Sequence, residues 1–181
     1  RRHTRYGTVT GVQTCALPIC IFNDVAIAAK VLLSEGAVRQ LLVVDLDVHQ
    51  GDGTAAIFAD DPRVFTFSAH AASNFPLRKQ VSDLDLPLAD GLEDDDYRRA
   101  IGALIPDLIA QVRPDLVLYN AGVDPHRQDR LGRLCLSDLG LLQRDRLVLD
   151  ACLRHRIPVA TVIGGGYDHL PSLRSEEHTS E

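Results

Sequence analysis

The stretch VVDLDVHQGDGT, residues 43–54, decides the fold and the chemistry of this chain. It continues an apolar run over 41–45, which predicts a short strand buried on both faces of a parallel sheet. Asp45, Asp47 and His49 occupy alternate positions, so on an extended chain their side chains leave on one face. An Asp and a His two residues apart suit zinc or a related divalent ion. A lone motif of this kind is equally typical of a solvated, glycine-rich turn.

Strands and helices alternate along the rest of the sequence. Apolar runs predict further strands, and capped amphipathic segments predict helices. This alternation predicts an α/β fold with a mainly parallel sheet and helices on both faces. The predicted strands are 41–45, 64–68, 116–120 and 157–163, and the predicted helices are 23–35, 95–112 and 137–155.

Polar clusters follow each predicted strand, at 45–52, 68–70, 120–129 and 164–168. Sites in such sheets form beyond the carboxyl ends of the strands, so we expect these clusters to meet. Asp124 lies just past the third strand and would complete a site of two carboxylates and one His. Catalytic zinc typically keeps three protein ligands and an open position for water.

The segment IGGGYDH, residues 163–169, places a Tyr directly after three glycines. The glycines permit close backbone approach. The Tyr167 hydroxyl could then donate to the oxyanion of a tetrahedral intermediate. Phosphate binding is the competing interpretation of a glycine run, but GxGxxG and a GK[ST] ending are both absent here.

Composition narrows the class of protein. The 181 residues carry a formal charge of −6 and are 45% hydrophobic. An acidic chain argues against nucleic acid and anionic membranes as partners. No apolar run reaches the roughly 18 residues of a membrane helix, and residues 1–19 make a poor signal peptide. Four cysteines without a CxxC predict free thiols in a cytoplasmic protein.

The two ends of the chain resemble translated sequencing-library adapter. They read RRHTRYGTVTGVQTCALPI over 1–19 and RSEEHTSE over 174–181. We therefore interpret both ends as non-native segments that do not belong to the fold. Residues 20–173 are then one partial catalytic domain, truncated at both ends.

The motifs together resemble the histone deacetylase family. In order they are CIFNDVAIAA, VVDLDVHQGDGT, TFSAH, NAGVDPHRQDRLGRL and ATVIGGGYD. They cover nearly all of residues 20–173, and the combination is highly specific. Gln50, where many deacetylases have a second His, resembles the class IV branch and its bacterial relatives. The resemblance implies the arginase-deacetylase fold and zinc-dependent hydrolysis of N-acyl amides.

Family roles carry over residue by residue. The resemblance implies Asp47, His49 and Asp124 as ligands of zinc, or of another divalent ion in its place. Tyr167 would polarise the acyl carbonyl and stabilise the oxyanion. Asp45 would orient a catalytic His supplied from outside residues 20–173.

Two further sites follow from the resemblance alone. A structural potassium ion would lie among Asp45, Asp47, His49, Ser68 and Ala69, and the acyl tunnel would be lined by Phe75 and Gly165.

The family draws its general base from a His-His pair, and the sequence contains no His-His dipeptide. His70, His126, His155 and His169 are weak substitutes, so we expect little or no deacylase activity from this chain. The expected substrate is an acylated lysine in a peptide or protein. The alternative within the superfamily is a small acylated amine such as an acetylpolyamine.

Two other interpretations exist for this sequence. VVDLD superficially resembles a haloacid-dehalogenase-like phosphatase, with Asp45 as nucleophile and Asp47 as acid. That signature requires Gly-Thr directly after the second Asp, whereas Val48 and His49 follow it here. The third interpretation is a non-functional assembly product that no cell makes at this length.

Overall fold

The computed structural model describes residues 23–167. The adapter-like segments 1–19 and 174–181 lie outside the described residues, as does His169. Within the described range, no helix is long and apolar enough to cross a membrane.

Five strands form one sheet in which every pairing is parallel. They are β1 Leu41–Asp45, β2 Val64–Ala71, β3 Leu84–Leu88, β4 Leu116–Asn120 and β5 Val159–Val162. The spatial order β3-β2-β1-β4-β5 places β1 at the centre, with Ser68 and Asn120 opposite Asp45. All five residues of β1 are buried, as the continuous apolar run predicted. The predicted parallel α/β fold is confirmed.

The helices are α1 Asp24–Ser34, α2 Asp52–Phe58, α3 Asp94–Gly102, α4 Leu104–Val112 and α5 Asp138–His155. Side chains at the predicted starts of two helices, 23–35 and 137–155, cap them. The Asn23 side chain accepts a hydrogen bond from the Ala26 amide at 2.8 Å, and Ser137 Oγ accepts one from the Gly140 amide at 3.1 Å. Each cap satisfies an amide that has no partner inside its helix.

Helices cover both faces of the sheet because successive residues of β1 point to opposite sides. Leu42 and Val44 pack in a core with residues of α3, α4 and α5. Leu41 and Val43 pack in a second core with residues of α1 and with Phe58 of α2.

The predicted single helix over 95–112 is wrong. The chain forms α3 and α4 instead, with a break at Ala103. Pro106 explains the break, because a proline has no amide for the carbonyl four residues back and its ring clashes there. Pro106 is instead tolerated in the first turn of α4.

Strand bounds also differ from prediction. β2 continues to Ala71, so the polar cluster at 68–70 lies inside the strand rather than after it. The last strand is shorter than 157–163, and α2 and β3 were not predicted. β3 contains Asp85 and Pro87, which are depleted in strands. Its edge position tolerates a proline, which cannot donate a ladder hydrogen bond.

Candidate metal centre

The chain leaves the strand directly after Asp45, so the expectation of an extended backbone through His49 is wrong. Two side-chain turns replace it. Asp45 Oδ1 accepts a hydrogen bond from the Asp47 amide at 3.1 Å, and Asp47 Oδ1 accepts one from the His49 amide at 2.7 Å. Aspartates commonly make such turns two residues ahead. The alternate spacing therefore brings Asp47 and His49 together by turning the backbone.

Asp124 reaches the same point from the loop after β4. Its Oδ1 accepts a hydrogen bond from the Val48 amide at 2.9 Å. His49 Nδ1 lies 3.1 Å from Asp124 Oδ2 and 2.9 Å from Asp47 Oδ1. One imidazole nitrogen thus faces carboxylates from two neighbouring strand ends.

The structure brings the three predicted ligands into one buried cluster. One ligand atom each from Asp47, His49 and Asp124 lies within 4.8 Å of the others. Their exposed fractions are 4%, 3% and 0%. The buried Asp47 Oδ2 accepts no hydrogen bond from any described residue. Buried carboxylate oxygens are normally paired or bound to metal, so this donor set fits a divalent ion such as zinc.

Glycines line the cluster where any side chain would collide with it. A Cβ added at Gly165 would overlap the carboxylates of Asp124 and Asp47. At Gly122 it would lie 2.7 Å from Asp47 Oδ2. Gly165 was expected at the substrate tunnel; the structure places it directly against the predicted ligands.

Burial governs the electrostatics of the cluster. It raises the pKa of Asp47 well above its ordinary value, and the nearby Asp124 carboxylate adds to the shift. Burial also raises the pKa of Asp45 to about 7, partly opposed by the hydrogen bond from the Asp47 amide. Crowded buried carboxylates resist ionisation, and a bound cation would relieve that repulsion.

Asp45 lies beneath the cluster and is held by Asn120. Asn120 Nδ2 donates to Asp45 Oδ1 at 3.0 Å, and Asn120 Oδ1 accepts from the Gly164 amide at 3.1 Å. Asn120 therefore joins the end of β1 to the glycine run after β5. The sequence predicted a polar cluster that includes Asn120 but indicated no role for this residue.

The residues predicted for potassium lie on adjacent strands. Ser68 is opposite Asp45 in the register, and its Oγ accepts a hydrogen bond from the Gly51 amide at 3.4 Å. Ala69, the next residue of β2, is completely buried. The potassium site itself stays a prediction.

Tyr167 lies beside the cluster, with its ring centroid 6.2 Å from that of His49 and nearly perpendicular to it. Two loop residues hold its backbone. Asp129 Oδ2 accepts a hydrogen bond from the Tyr167 amide at 2.6 Å, and Arg130 Nε donates to the Tyr167 carbonyl at 2.8 Å. Sequence analysis missed this pair, although both residues lie in the quoted NAGVDPHRQDRLGRL motif.

Phe75 lies in the loop between β2 and β3, and 42% of it is exposed. This loop is tied to the residue after His49. Gln50 Nε2 donates to the Gln80 carbonyl at 2.8 Å, and Gln50 Oε1 accepts from the Gln80 amide at 2.9 Å. The role of Phe75 in an acyl tunnel stays a prediction.

Arg144 of α5 was also missed. Its side chain is completely buried and reaches the loops after β1 and β4. Burial opposes its charge, but the neighbouring Tyr119 and Asp145 raise the pKa of Arg144 above its ordinary value. One signal was present in the sequence. Arg144 shares a helical face with Leu141 and Val148, and such a face is normally apolar.

Comparison with known proteins gives the family. A family model described as the histone deacetylase domain matches residues 19–180. An uncharacterized protein of Picosynechococcus sp. is 57% identical over 148 residues, which cover 82% of this chain and 49% of that protein. The chloroplastic histone deacetylase 14 of Arabidopsis thaliana is 33% identical over 125 residues, covering 64% of this chain and 30% of that protein.

Solved structures agree with the sequence comparison. The crystal structure of a histone deacetylase homologue from Aquifex aeolicus superimposes with a TM-score of 0.71 at 26% identity, covering 83% of this chain and 43% of that chain. The HDA15 HD domain gives a TM-score of 0.70 at 27% identity and covers 88% of this chain and 48% of that chain. The chain thus spans about half or less of the length of each of these relatives. It belongs to the histone deacetylase family of hydrolases and has the arginase-deacetylase fold.

Proposed function

We propose that this chain is the metal-binding part of a zinc-dependent deacylase that hydrolyses N-acyl amides of the acetyl-lysine type. One observation carries the proposal. Asp47, His49 and Asp124 converge in a buried cluster in which Asp47 Oδ2 has no hydrogen-bond donor among the described residues. Family membership argues against the phosphatase alternative, because the match to the histone deacetylase domain includes the VVDLD motif.

In the proposed amide hydrolysis, the metal and the side chains have different roles. Zinc, when bound by Asp47, His49 and Asp124, supplies a Lewis acid that activates water and polarises the acyl carbonyl. We propose that Tyr167, whose ring lies beside that of His49, donates a hydrogen bond from its hydroxyl to the developing oxyanion. Asp129 and Arg130 keep Tyr167 at that point by holding its backbone amide and carbonyl.

A general base for the attacking water is missing from the described residues. His49 Nδ1 faces the two carboxylates, and we assign that histidine to the metal ligands. His70 is buried against Ser68 Oγ, and His126 lies against Asp138. His155 ends α5, at the edge of the sheet where the strands begin. We therefore propose that the chain alone hydrolyses acyl amides slowly.

The names of relatives favour acylated lysine over small acylated amines. Several curated relatives are named histone deacetylases, including the clr6 protein of Schizosaccharomyces pombe at 32% identity. A structural potassium ion at Asp45 and Ser68 is part of the same proposal. It is supported by the pairing of these two residues across β1 and β2.

The test combines zinc content with activity. The full chain, refolded with zinc and dialysed, should retain one zinc ion by mass spectrometry. His49→Ala should abolish retention, whereas the matched variant His155→Ala, at an exposed position, should leave it intact. Equal zinc retention by both variants would refute the metal site.

Activity is measured on an acetyl-lysine peptide and on N-acetylputrescine, side by side with the Aquifex homologue. We expect the chain to be at least about 100-fold slower than the homologue, since general acid–base catalysis typically contributes that much. Its residual turnover should favour the peptide. A rate near that of the homologue would contradict the missing base, and a preference for N-acetylputrescine would contradict the substrate class.

A further inference from the structure

A charged side chain in the interior connects α5 to the metal-binding loops. Every nitrogen of the Arg144 guanidinium has a polar contact. Nε donates to Asp145 Oδ1 at 2.9 Å, and Nη2 lies 2.8 Å from the same oxygen. The remaining contacts are all to backbone carbonyls. Nη1 donates to Gly122 at 2.6 Å and to Leu46 at 3.3 Å, and Nη2 donates to Ala121 at 3.2 Å.

These carbonyls belong to the two loops that carry the carboxylate ligands. Leu46 directly precedes Asp47, and Gly122 comes two residues before Asp124. The paired register of β1 and β4 ends at Asp45 and Asn120, and the Leu46 amide makes one further backbone bond, to the Asn120 carbonyl at 3.1 Å. The guanidinium therefore bridges the two segments at the point where the backbone hydrogen bonds between them end.

One of the residues that Arg144 contacts, Gly122, lies directly against the predicted metal ligand Asp47. Arg144 holds the Gly122 carbonyl at 2.6 Å, and the Cα of Gly122 faces Asp47 so closely that an added Cβ would lie 2.7 Å from Asp47 Oδ2. A shift of Gly122 changes the space left for that carboxylate. Metal sites tolerate errors of only about 0.2 Å in ligand distance, so loop spacing matters for affinity.

The anchor of Arg144 is itself fixed. Asp145 Oδ1 also accepts a hydrogen bond from the Tyr119 hydroxyl at 2.6 Å, which ties α5 to β4. A planar fork with five donors can meet one carboxylate and three carbonyls at once, whereas a lysine ammonium cannot. The geometry explains the presence of an arginine at a position that would otherwise be apolar.

We propose that Arg144 is a positioning residue that sets the spacing of the two loops holding Asp47 and Asp124, and thereby the metal affinity of the site. This inference rests on the proposed function, since it requires that Asp47, His49 and Asp124 bind a metal.

The test uses Co²⁺ as a spectroscopic probe of the full chain. Arg144→Lys keeps the charge and removes the fork. The matched control is Arg146→Lys, at an exposed position on the same helix. Urea unfolding without metal first defines conditions in which each protein is folded. We expect Arg144→Lys to bind Co²⁺ about tenfold more weakly, the low end of the loss typical when groups that orient ligands are removed. Its visible absorption bands should shift, and Arg146→Lys should match the wild type in both readouts.

A purely structural role predicts a different result. Arg144→Lys would then unfold at lower urea, while its folded form bound Co²⁺ with wild-type affinity and spectrum; that result would overturn the inference. If Arg144→Lys fails to fold, the Asp145→Asn variant tests the positioning role instead. It loosens the anchor but keeps the three carbonyl contacts, so we expect a roughly threefold weaker affinity, corresponding to about one hydrogen bond. Wild-type affinity and spectrum in Asp145→Asn would overturn the inference.

Co²⁺ binding by the wild-type chain distinguishes failure of the proposed function from failure of the Arg144 inference. If the wild-type chain shows no Co²⁺ bands at all, the metal site is wrong and the positioning role falls with it. Normal binding by the wild type together with normal binding by Arg144→Lys refutes only the role of Arg144.

Discussion

Small residues surround the predicted ligands because the carboxylates occupy the space that a Cβ would need. Gly165 shows this at the scale of one residue. Its φ is +37°, which L-residues rarely adopt, and its Cα faces the carboxylates of both Asp124 and Asp47. Two separate constraints, backbone conformation and contact with the site, therefore require glycine at one position.

Gly165→Ala should weaken metal binding about tenfold or more, because the new methyl group displaces both carboxylates. Gly91→Ala is the matched control. Gly91 also has a positive φ, +74°, but an added Cβ would meet nothing within 4 Å. Both variants should lose about 1–2 kcal/mol of stability from backbone strain. Co²⁺ titration separates them, and equal affinities would show that contact with the carboxylates is unimportant.

At the scale of elements, a buried glutamine fixes the loop between β2 and β3. Gln50 is only 1% exposed, and it exchanges hydrogen bonds with both backbone groups of Gln80. Its Nε2 also donates to Asp85 Oδ1 at 2.9 Å. The loop that carries Phe75 is therefore held from the residue next to a predicted metal ligand. Removing the Gln50 side chain should make this loop more mobile without changing the predicted metal ligands.

Gln50→Ala should lower the free energy of unfolding by about 1–3 kcal/mol, since it leaves buried polar groups of Gln80 unpaired. The Gln80 amide should also exchange faster with deuterium. Gln40→Ala serves as control, because Gln40 Nε2 makes one long bond of 3.4 Å to the Pro62 carbonyl. We expect the control to change stability by less than about 0.5 kcal/mol. If the Gln80 amide of Gln50→Ala exchanged with deuterium at the wild-type rate, Gln50 would not be what holds this loop.

At the scale of the whole molecule, the sheet is held together at both ends of its central strands. The cluster of Asp47, His49 and Asp124 joins β1 to β4 where the strands end. Asp115 joins them where they begin, because its Oδ2 accepts hydrogen bonds from the amides of Arg39 at 2.7 Å and Gln40 at 3.1 Å. The first end should respond to metal, and the second to protonation of Asp115.

Zinc should stabilise the entire fold, because it binds the folded cluster and not the separated ligands. At free zinc about 100 times the dissociation constant, the gain is about 2.7 kcal/mol. Urea unfolding with zinc and with a chelator measures it. His49→Ala should lose most of the gain, since His49 supplies the only nitrogen of the cluster. An equal gain in His49→Ala would place the zinc elsewhere in the chain.

The backbone amides of Arg39 and Gln40 hold the pKa of Asp115 below its ordinary value. A lowered folded pKa stabilises the protein above the unfolded pKa of about 3.9 and loses that stability as pH falls through the folded pKa. Asp115→Asn should therefore be less stable than wild type at pH 7, with the difference disappearing as the pH falls through the folded pKa of Asp115. Asp150→Asn, which removes the same charge from an exposed position on α5, should show no such convergence. Parallel stability curves for wild type and Asp115→Asn would refute this role.

Much of the fold was predictable because it depends on local patterns. The apolar run of β1 requires burial on both faces, and Asn23 and Ser137 cap helices through their own neighbouring amides. The break at Ala103 was also readable in principle from Pro106. β3 was not, because its Asp85 and Pro87 disfavour a strand and only the edge position in the sheet tolerates them.

The sequence alone determined which residues meet at the candidate site, since parallel strands bring their carboxyl ends to one edge. It named Asp47, His49, Asp124 and Tyr167, and the motif order identified the family. Tertiary structure alone decided how they are held. Backbone groups make these contacts in the turns after Asp45, in the hydrogen bonds of Asp129 and Arg130 to Tyr167, and around the buried Arg144. Backbone amides and carbonyls are the same in every residue, so the sequence does not show which of them a side chain from a distant segment will pair with.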